Sequence, residues 1–353
     1  MIETERNLIR FLDNHFNFRE RKEYFQRNTP YSLEIEVTDS CNSSCIYCYN
    51  SSITRKKPFF LEIEKAKDLI DSAVNIGIKV IWWLGGEPLL NRNLFDFLEY
   101  AKKKGIKKNV VFTNGILLNN NHICSRIVDL VDVIVFHLDT TKDSYYDLQS
   151  SESRVRYKNV IDGIINLITC GFDPQKVRHN ITLNKISYMD LNSTLNWAIN
   201  TMNFGMATLI PMFSSGRGLE VDKRLFLSKD EIQKSFILRA EIEKRPELMW
   251  LGPSEYCKQY QLTTCFISSK GDVTPYAGID IVTGNIYKTC LENIIEDHHD
   301  ILLFKSTQKR DGTNNLVGSC GNCKNSKYCF GTRTVSYRDG EGIDYSDPTC
   351  WNV

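Results

Sequence analysis

Three closely spaced cysteines have a pattern that suits metal chemistry. Cys41, Cys45 and Cys48 follow Cys-x3-Cys-x2-Cys, which bends a short loop so that three thiolates converge on one face. Three thiolates can hold an iron–sulfur cubane while its fourth iron stays open to an external ligand. The alternative is a structural zinc site, which normally closes with four protein ligands. The triplet alone favours the open cluster and leaves zinc as an alternative.

A second motif, Gly85-Gly86-Glu87-Pro88, is suited to binding an ammonium group. Two glycines let the backbone approach a ligand closely, and the proline fixes the turn. Glu87 and nearby carbonyl groups can accept hydrogen bonds from a positively charged amine. A plain strand-to-helix turn would also use the glycines and the proline. Only the binding interpretation uses all four residues.

Alternating strands and helices must position these motifs. From Tyr31 onward, short β-branched or aromatic runs alternate with longer helical patterns. The predicted strands are Ser32–Thr38, Lys79–Leu84, Asn109–Thr113, Val133–Leu138, Arg178–Leu183 and Thr208–Pro211. The predicted helices are Leu61–Asn75, Asn93–Lys104, His122–Asp129, Lys158–Cys170 and Asp190–Met202, with a further one opening at Ser228 on a capping box with Glu231. Six such units predict a parallel sheet, open or curled into a partial barrel, with chemistry at the carboxyl ends of its strands.

Composition and charge exclude several classes of protein. The chain has 44 Lys and Arg against 43 Asp and Glu, so no net charge draws it towards nucleic acid or anionic lipid. Its charged N-terminus offers no apolar stretch for a signal peptide. Twelve cysteines in such a chain predict free thiols in a reducing compartment. We therefore expect a cytoplasmic protein with no nucleic-acid and no membrane partner.

Together, the cysteine triplet and the Gly-Gly-Glu-Pro segment resemble the radical S-adenosylmethionine (SAM) superfamily. In that family the triplet holds a [4Fe–4S] cluster, and the segment of Gly85, Gly86, Glu87 and Pro88 binds the SAM amino group. An aromatic residue before the third cysteine, here Tyr47, commonly lies near the adenine. The resemblance covers Tyr31 to Phe226 and implies reductive cleavage of SAM to methionine and a 5′-deoxyadenosyl radical, which abstracts hydrogen from a substrate.

The same resemblance suggests four further residues of the SAM pocket. Thr113 and Asn114 end the third predicted strand, where a simple turn is equally open as an interpretation. Asp139 ends the fourth strand, and His137 stands two residues before it, where related enzymes often have serine. We interpret His137 as a structural residue. Arg217 follows the sixth strand and could bind a carboxylate of SAM or substrate bidentately, or could be a solvated loop residue.

A second cysteine cluster lies near the C-terminus. The spacing Cys320-x2-Cys323-x5-Cys329, followed by Cys350, resembles the SPASM extension of radical SAM enzymes. The resemblance implies that these four cysteines bind one auxiliary [4Fe–4S] cluster, corresponding to the outer of the two that SPASM enzymes usually carry. A four-thiolate zinc site is the alternative.

The inner cluster of the SPASM pattern lacks two of its ligands here. Cys257 and Cys265 match two of them, and Gly271 matches the hairpin glycine between the ligands. Tyr276 and Arg333 stand where the other two thiolates should be, which should abolish an ordinary inner cluster. The remaining cysteines are Cys124 and Cys170, which we expect to be buried apolar residues, and Cys290, which the pattern does not place.

The predicted fold is therefore an α/β partial (β/α)6 barrel with a small C-terminal Cys-rich, iron–sulfur-stapled domain. The predicted divisions are an N-terminal extension 1–30, a radical SAM barrel 31–226, a linking helix 227–252 and a SPASM-like auxiliary domain 253–353.

The resemblance also bears on function. It implies an oxidoreductase that modifies a peptide or protein, with a small molecule such as an aminocyclitol, sugar or tetrapyrrole precursor as the alternative substrate. It further implies an electron donor such as flavodoxin or ferredoxin. A metal-stapled binding or regulatory protein is the competing class, but such a protein needs no SAM ammonium site. No catalytic acid or base is identified from the sequence.

Overall fold

The computed structural model describes residues 3–53, 56–149, 154–254 and 256–352. Its first half alternates strands and helices, in the order α1 (Glu3–Phe16), α2 (Phe18–Gln26), β1 (Ser32–Glu36), α3 (Ile63–Ile76), β2 (Val80–Leu84), α4 (Leu94–Lys104), β3 (Lys108–Thr113), α5 (Asn121–Leu130), β4 (Val133–His137), α6 (Asp143–Gln149), α7 (Arg154–Thr169), β5 (Val177–Leu183), α8 (Lys185–Asn196) and β6 (Met206–Pro211). The second half contains α9 (Lys229–Ile242), α10 (Lys258–Leu262), β7 (Thr264–Ile267), β8 (Asp272–Thr274), β9 (Gly284–Asn285), α11 (Leu291–Leu302) and α12 (Arg333–Asp339).

The strands of the described residues form one mostly parallel sheet in the order β6-β5-β4-β3-β2-β1-β7-β8-β9. Strands β1 to β6 are parallel neighbours in chain order, so each β/α unit adds one strand to the same edge. The C-terminal region extends the other edge, because β7 pairs in parallel with β1 and continues into the antiparallel β8 and β9. The sheet is not closed, which confirms the predicted partial barrel with a Cys-rich C-terminal region.

The six predicted strands are all present, with ends that differ by at most two residues from the prediction. The helix that opens at Ser228 has the predicted capping box with Glu231. The predicted start of α8 at Asp190 is wrong, because a second capping box, formed by Asn184 and Ser187, starts this helix five residues earlier. Gly271 lies in the turn between β7 and β8 with a φ of +86°, which explains why glycine is required there.

The N-terminal residues form two helices that close the interior of the barrel. Along α1 the apolar side chains of Leu8, Phe11, Leu12 and Phe16 are buried on one face. They pack in one core with Trp82, whose side chain points inward from β2, and with Tyr260 of α10. A second core lies on the other face of the sheet, between the strands and helices such as α3, α4 and α7.

A buried guanidinium ties these helices to the sheet. Arg21 donates from Nε to the Phe16 carbonyl at 2.7 Å, from Nη1 to Thr263 Oγ1 at 2.9 Å and from Nη2 to Ser32 Oγ at 3.1 Å. Its guanidinium also stacks 4.7 Å from the Tyr260 ring centroid. In the described parts of the chain, no helix is long and apolar enough to cross a membrane.

Candidate active site and cluster-binding loops

A cavity of about 290 Å³ opens at the carboxyl ends of the barrel strands. Its wall contains the predicted site residues Cys41, Cys45, Tyr47, Cys48, Gly85, Gly86, Pro88, Thr113, Asn114 and Arg217. Residues after β7, such as Tyr276 and Thr332, complete the wall from the C-terminal region. Two separate sequence motifs and the C-terminal segment therefore meet at one cavity.

The loop that carries the three cysteines is shaped by backbone contacts. The Cys41 amide donates to the Ile53 carbonyl at 3.1 Å, and the Cys48 amide donates to the Cys45 carbonyl at 3.2 Å. The Ser43 amide points at the Cys41 sulfur, 3.4 Å away. Burial raises the pKa of Cys41 and raises that of Cys45 to about 12, so binding a metal or cluster would release their protons.

Arg217 braces this loop from the end of the barrel. Its Nε donates to the Cys45 carbonyl at 2.8 Å, its Nη1 to the Ser52 carbonyl at 2.9 Å, and its amide to the Cys48 carbonyl at 3.0 Å. A Cβ on Gly216 would lie only 2.4 Å from the Cys48 carbonyl oxygen, so glycine permits this close approach. The structure thus shows Arg217 positioning the cysteine loop, and its action as a carboxylate ligand stays a prediction.

The Gly-Gly-Glu-Pro turn packs directly against the start of the cysteine loop. A Cβ on Gly86 would lie 2.1 Å from the Ser40 carbonyl oxygen. The Glu87 amide donates to the same oxygen at 2.9 Å. Pro88 begins a short 3-10 turn. Gly85, Gly86 and Pro88 therefore present their backbone to the cavity beside Cys41.

The Glu87 side chain lies behind this turn and is fully buried. Its Oε1 accepts from Thr113 Oγ1 at 3.0 Å and from the Leu89 amide at 3.2 Å, and its Oε2 accepts from the Asn114 amide at 2.8 Å. Burial raises the pKa of Glu87 to about 7, against the effect of these three donors. The carboxylate joins the ends of β2 and β3, and its contact with an ammonium group stays a prediction.

Asn114 links the β3 end to the cysteine loop. Its Nδ2 donates to Asn42 Oδ1 at 2.8 Å and lies 3.7 Å from the Cys41 sulfur. Thr113 and Asn114 are thus both bonded to Glu87, and Asn114 also contacts the cysteine loop. The structure brings both predicted residues to the site, and their contact with SAM stays a prediction.

Tyr47, His137 and Asp139 form one hydrogen-bonded group. The Tyr47 hydroxyl donates to Asp139 Oδ2 and lies 3.1 Å from His137 Nε2. Asp139 Oδ1 accepts from the Thr182 amide at 2.6 Å. Burial lowers the pKa of His137 to about 4 and raises that of Asp139 well above its usual range. The sequence interpretation left His137 as a structural residue, whereas the structure places it in the cavity wall.

Sequence reasoning also missed Glu34, which points from β1 into the cavity. Its Oε1 accepts from the Tyr260 hydroxyl at 2.7 Å, and burial raises its pKa to about 7. The available signal was the pattern of β1, in which Glu34 and Glu36 alternate with the buried Leu33 and Ile35. Charged residues at every second position of a buried strand must face a polar or ligand-binding interior.

The four C-terminal cysteines lie near one another, but no group of three or more potential metal ligands is already assembled among the described residues, so their role as cluster ligands stays a prediction. The thiols of Cys320, Cys323 and Cys350 all act to raise the pKa of Cys329, together with its burial. The Gly331 amide lies 3.3 Å from the Cys329 sulfur, and a Cβ on Gly252 would lie 3.3 Å from that sulfur. Two buried and two half-buried cysteines, with amide donors to the sulfurs of Cys329 and Cys350, suit the binding of an iron–sulfur cluster.

Cys257 and Cys265 lie on opposite sides of the sheet. Cys265 is opposite Leu33 in the β1–β7 pair and packs in the core between sheet and helices. Cys257 packs in the barrel interior with Trp82 and Tyr260. Tyr276, at the position of a missing ligand, lies in the cavity wall, 6.3 Å from Tyr260 between ring centroids. This separation bears on the number of clusters that the chain can hold.

Comparisons with known proteins agree with the site. The family model of the radical SAM superfamily matches residues 35–198. The AdoMet (SAM)-dependent heme synthase of Methanosarcina barkeri is 23% identical over 355 residues, covering 92% of this chain and 97% of that protein. The GTP 3′,8-cyclase of Thermodesulfovibrio yellowstonii is 28% identical over 241 residues, covering 67% of this chain and 72% of that protein.

Solved structures share the fold along nearly the whole chain. Streptococcus suis SuiB bound to its precursor peptide SuiA has a TM-score of 0.67 at 16% identity, covering 94% of this chain and 79% of SuiB. The structure of anSMEcpe with bound AdoMet has a TM-score of 0.66 at 16% identity, covering 92% of this chain and 95% of that one. The matched superfamily uses a [4Fe–4S] cluster and SAM, which confirms both predicted cofactors. Residues 35–198 of the chain are a radical SAM domain, and the chain is an enzyme.

Proposed function

We propose that this enzyme abstracts hydrogen from a peptide or protein substrate bound in the cavity. The observation that carries the proposal is a cavity whose wall joins the cysteine loop, the Gly-Gly-Glu-Pro turn and the C-terminal segment. A [4Fe–4S] cluster on Cys41, Cys45 and Cys48 would supply the electron that cleaves SAM to methionine and a 5′-deoxyadenosyl radical. An electron donor of the flavodoxin or ferredoxin class would reduce that cluster.

The chain's own residues hold and isolate the reactants. Arg217 and the Gly-Gly-Glu-Pro turn hold the cysteine loop from two sides. Tyr47, held by His137 and Asp139, offers an aromatic face beside the third cysteine, where the adenine is expected. Apolar side chains, including Phe112, Leu209, Met212 and Phe213, line the rest of the cavity. Such a wall excludes water, which would otherwise quench a carbon radical or solvate the reacting groups.

The fold comparisons support a peptide substrate. The SuiB structure contains the precursor peptide SuiA, and an anSMEcpe structure contains the Cp18Cys peptide. This chain has the same fold, with a C-terminal segment that contributes Thr332 and Tyr276 to the cavity. We infer that residues 253–353 serve as an auxiliary-cluster domain that also forms part of the substrate site.

A small apolar molecule is the second candidate substrate. The heme synthase of M. barkeri matches 92% of this chain, and its name describes action on a tetrapyrrole. The largely apolar cavity wall would suit a substrate of that kind as well as an apolar peptide side chain.

Substrate assays separate the two candidates. The reconstituted enzyme, SAM and dithionite are incubated with synthetic peptides encoded beside its gene, or with tetrapyrrole precursors. We expect 5′-deoxyadenosine to form in step with a mass change in a peptide, and deuterium from a labelled peptide to appear in 5′-deoxyadenosine. If 5′-deoxyadenosine forms in step with conversion of a tetrapyrrole precursor, and with no peptide, the substrate is the small molecule instead. The Cys41→Ala variant provides the background rate.

Glu34 is the proton acceptor that the cavity offers. Oxidation of a carbon radical releases one electron to an acceptor, for which the C-terminal cysteine site is the candidate, and one proton to a base. Among the described residues, Glu34 is the one Asp or Glu in the cavity wall, and no hydrogen bond reaches its Oε2. Arg21 and the Tyr260 hydroxyl favour its charged form, whereas burial and Glu36 oppose it.

We expect Glu34→Gln to lower product formation by roughly 10²- to 10⁴-fold, the usual contribution of a general base, while uncoupled SAM cleavage persists. Only the ionised form of Glu34 can accept a proton. Because its pKa is about 7, this form predominates only above that pH. Wild-type turnover should therefore rise as the pH increases through about 7, and the variant should lose this rise.

Product and 5′-deoxyadenosine are measured in parallel across pH. The matched control is Glu36→Gln, which alters a buried carboxylate of the same strand that Tyr49, Asn50 and Ser269 already bond. It should cost stability and keep the rise of turnover with pH, moved to somewhat lower pH because the Glu36 carboxylate no longer raises the pKa of Glu34. An unchanged product yield in Glu34→Gln would eliminate Glu34 as the base.

A further inference from the structure

A short segment of chain lies between the C-terminal cysteine site and the cavity. Thr332 and Thr334 of this segment line the cavity, and the Gly331 amide of the same segment points at the Cys329 sulfur from 3.3 Å. Gln261, also in the cavity wall, donates to the Gly331 carbonyl at 2.9 Å. A cluster on these cysteines would therefore lie behind the cavity wall.

Arg333 belongs to this same segment and is 1% exposed. Its Nη1 donates to the carbonyls of Ile343 at 2.9 Å and Tyr345 at 2.7 Å. Its Nε and Nη2 are buried and have no hydrogen-bond partner among the described residues. Two buried N–H groups of a cation without acceptors are costly, which indicates that another group accepts from them in the assembled protein.

The cysteine site is the neighbour that this guanidinium faces. Burial lowers the pKa of Arg333, and Asp347, Cys320 and Cys329 oppose that effect. A Cβ on Gly331 would lie 2.7 Å from Arg333 Nη2, so glycine lets the guanidinium approach the backbone next to Cys329. Guanidinium keeps its proton in proteins, so Arg333 places a permanent positive charge beside the thiols.

A second buried basic side chain, that of Lys258, lies near Cys329. Lys258 is 1% exposed, and its Nζ donates to the carbonyls of Gly312 and Ser326, both at 2.9 Å. Cys329 is near enough to influence its charge. One buried carboxylate, Asp347, offsets these cations, with bonds from the Thr332 and Thr349 amides. Because burial lowers the pKa of Lys258 to about 7, it is Arg333 that provides the constant positive charge beside the four cysteines.

We propose that Arg333 donates hydrogen bonds to the sulfur ligands of the auxiliary cluster and raises its reduction potential, so that this cluster serves as an electron acceptor for the adjoining cavity. Reduction adds one negative charge to a cluster, and a buried cation and N–H donors stabilise the reduced form more than the oxidised form. Arg333 stands at the sequence position of a missing inner-cluster ligand, and there it tunes the reduction potential of the outer cluster. The inference rests on the proposed binding of a cluster by the four cysteines.

The test is a redox titration followed by electron paramagnetic resonance. A background variant, Cys41→Ala/Cys45→Ala/Cys48→Ala, removes the signal of the SAM-binding cluster, so the remaining signal reports the auxiliary one. In this background we expect Arg333→Met to lower the midpoint potential by about 59 mV or more, a tenfold change in the ratio of reduced to oxidised cluster for a one-electron couple. Arg333→Lys keeps the charge and should shift the potential less.

Two further variants make the outcome specific. Asp347→Asn removes a negative charge and should raise the potential, opposite in sign to Arg333→Met. Arg224→Met alters an arginine whose side chain is 90% exposed and should leave the potential unchanged.

The inference is overturned if Arg333→Met retains its iron at an unchanged potential, or if Asp347→Asn shifts the potential downwards. If Arg333→Met loses its iron, the midpoint potentials of Arg333→Lys and Asp347→Asn still test the inference. Absence of iron from the background variant itself would instead refute the auxiliary cluster, and the Arg333 inference with it.

Discussion

Replacing Cys41, Cys45 or Cys48 by alanine should abolish SAM cleavage while the chain stays folded. Each thiolate is needed to hold the cluster with one iron open, so the loss of any one removes the electron that cleaves SAM. The fold should survive because none of the three belongs to the apolar cores of the sheet. The loop backbone is held independently by Arg217 and by the Cys41 bond to Ile53.

The measurement is 5′-deoxyadenosine formed after dithionite reduction, together with circular dichroism to verify folding. Cys290→Ala is the matched control, because Cys290 is an exposed cysteine before α11. It should cleave SAM at the wild-type rate. Wild-type production of 5′-deoxyadenosine by any of the three loop variants would refute the assignment of the cluster ligands.

The barrel was predictable because local patterns determine it. Each strand is a short β-branched or aromatic run, and each helix has its own apolar face or cap, as Ser228 and Glu231 illustrate. Neighbouring β/α units then pair in chain order, which requires no long-range information. The cysteine spacings and the Gly-Gly-Glu-Pro turn are equally local, and the structure brings both to one cavity.

The contacts that were missed depend on distant parts of the chain. Strand β7 pairs with β1, which lies more than 200 residues earlier in the chain. The local sequence Thr264–Ile267 does not predict which strand it pairs with. Arg217 binds the Cys45 and Ser52 carbonyls, and such backbone contacts leave no trace in residue spacing. Helix α1 is different, because Leu8, Phe11, Leu12 and Phe16 have helical spacing that was available in the sequence.

The geometry of Glu87 changes how its motif is best understood. Its carboxylate oxygens are already bonded by Thr113, Leu89 and Asn114, behind the backbone that faces the cavity. We therefore expect the backbone carbonyl groups of Gly85 and Gly86, two residues of the cavity wall, to be the acceptors for an ammonium group. On this interpretation Glu87 acts by holding the turn, and substituting it would change SAM affinity and stability together, since unsatisfied buried donors cost about 1–3 kcal/mol each.

The reconstituted enzyme should bind about eight irons per chain, as two cubanes, and not about twelve. Cys41, Cys45 and Cys48 provide one site, and the C-terminal four-cysteine set provides the other. Cys257 and Cys265 cannot approach a common cluster without displacing β7, because they pack in different cores on opposite faces of the sheet. Tyr276 and Arg333 offer no thiolate in their place.

Iron and sulfide analysis with Mössbauer spectroscopy on three variants tests this count. Cys320→Ala/Cys329→Ala should lose about four irons, one cubane, because it removes half the ligands of the C-terminal site. Cys257→Ala/Cys265→Ala is the matched control, a double substitution of buried cysteines in the same region, and should keep about eight irons. Its apolar thiols fill core space, so it should lower thermal stability instead. The triple variant of Cys41, Cys45 and Cys48 should retain the auxiliary cubane alone. A loss of about four irons from the Cys257→Ala/Cys265→Ala variant would instead reveal an inner cluster, and would require β7 to leave its pairing with β1 when that cluster assembles.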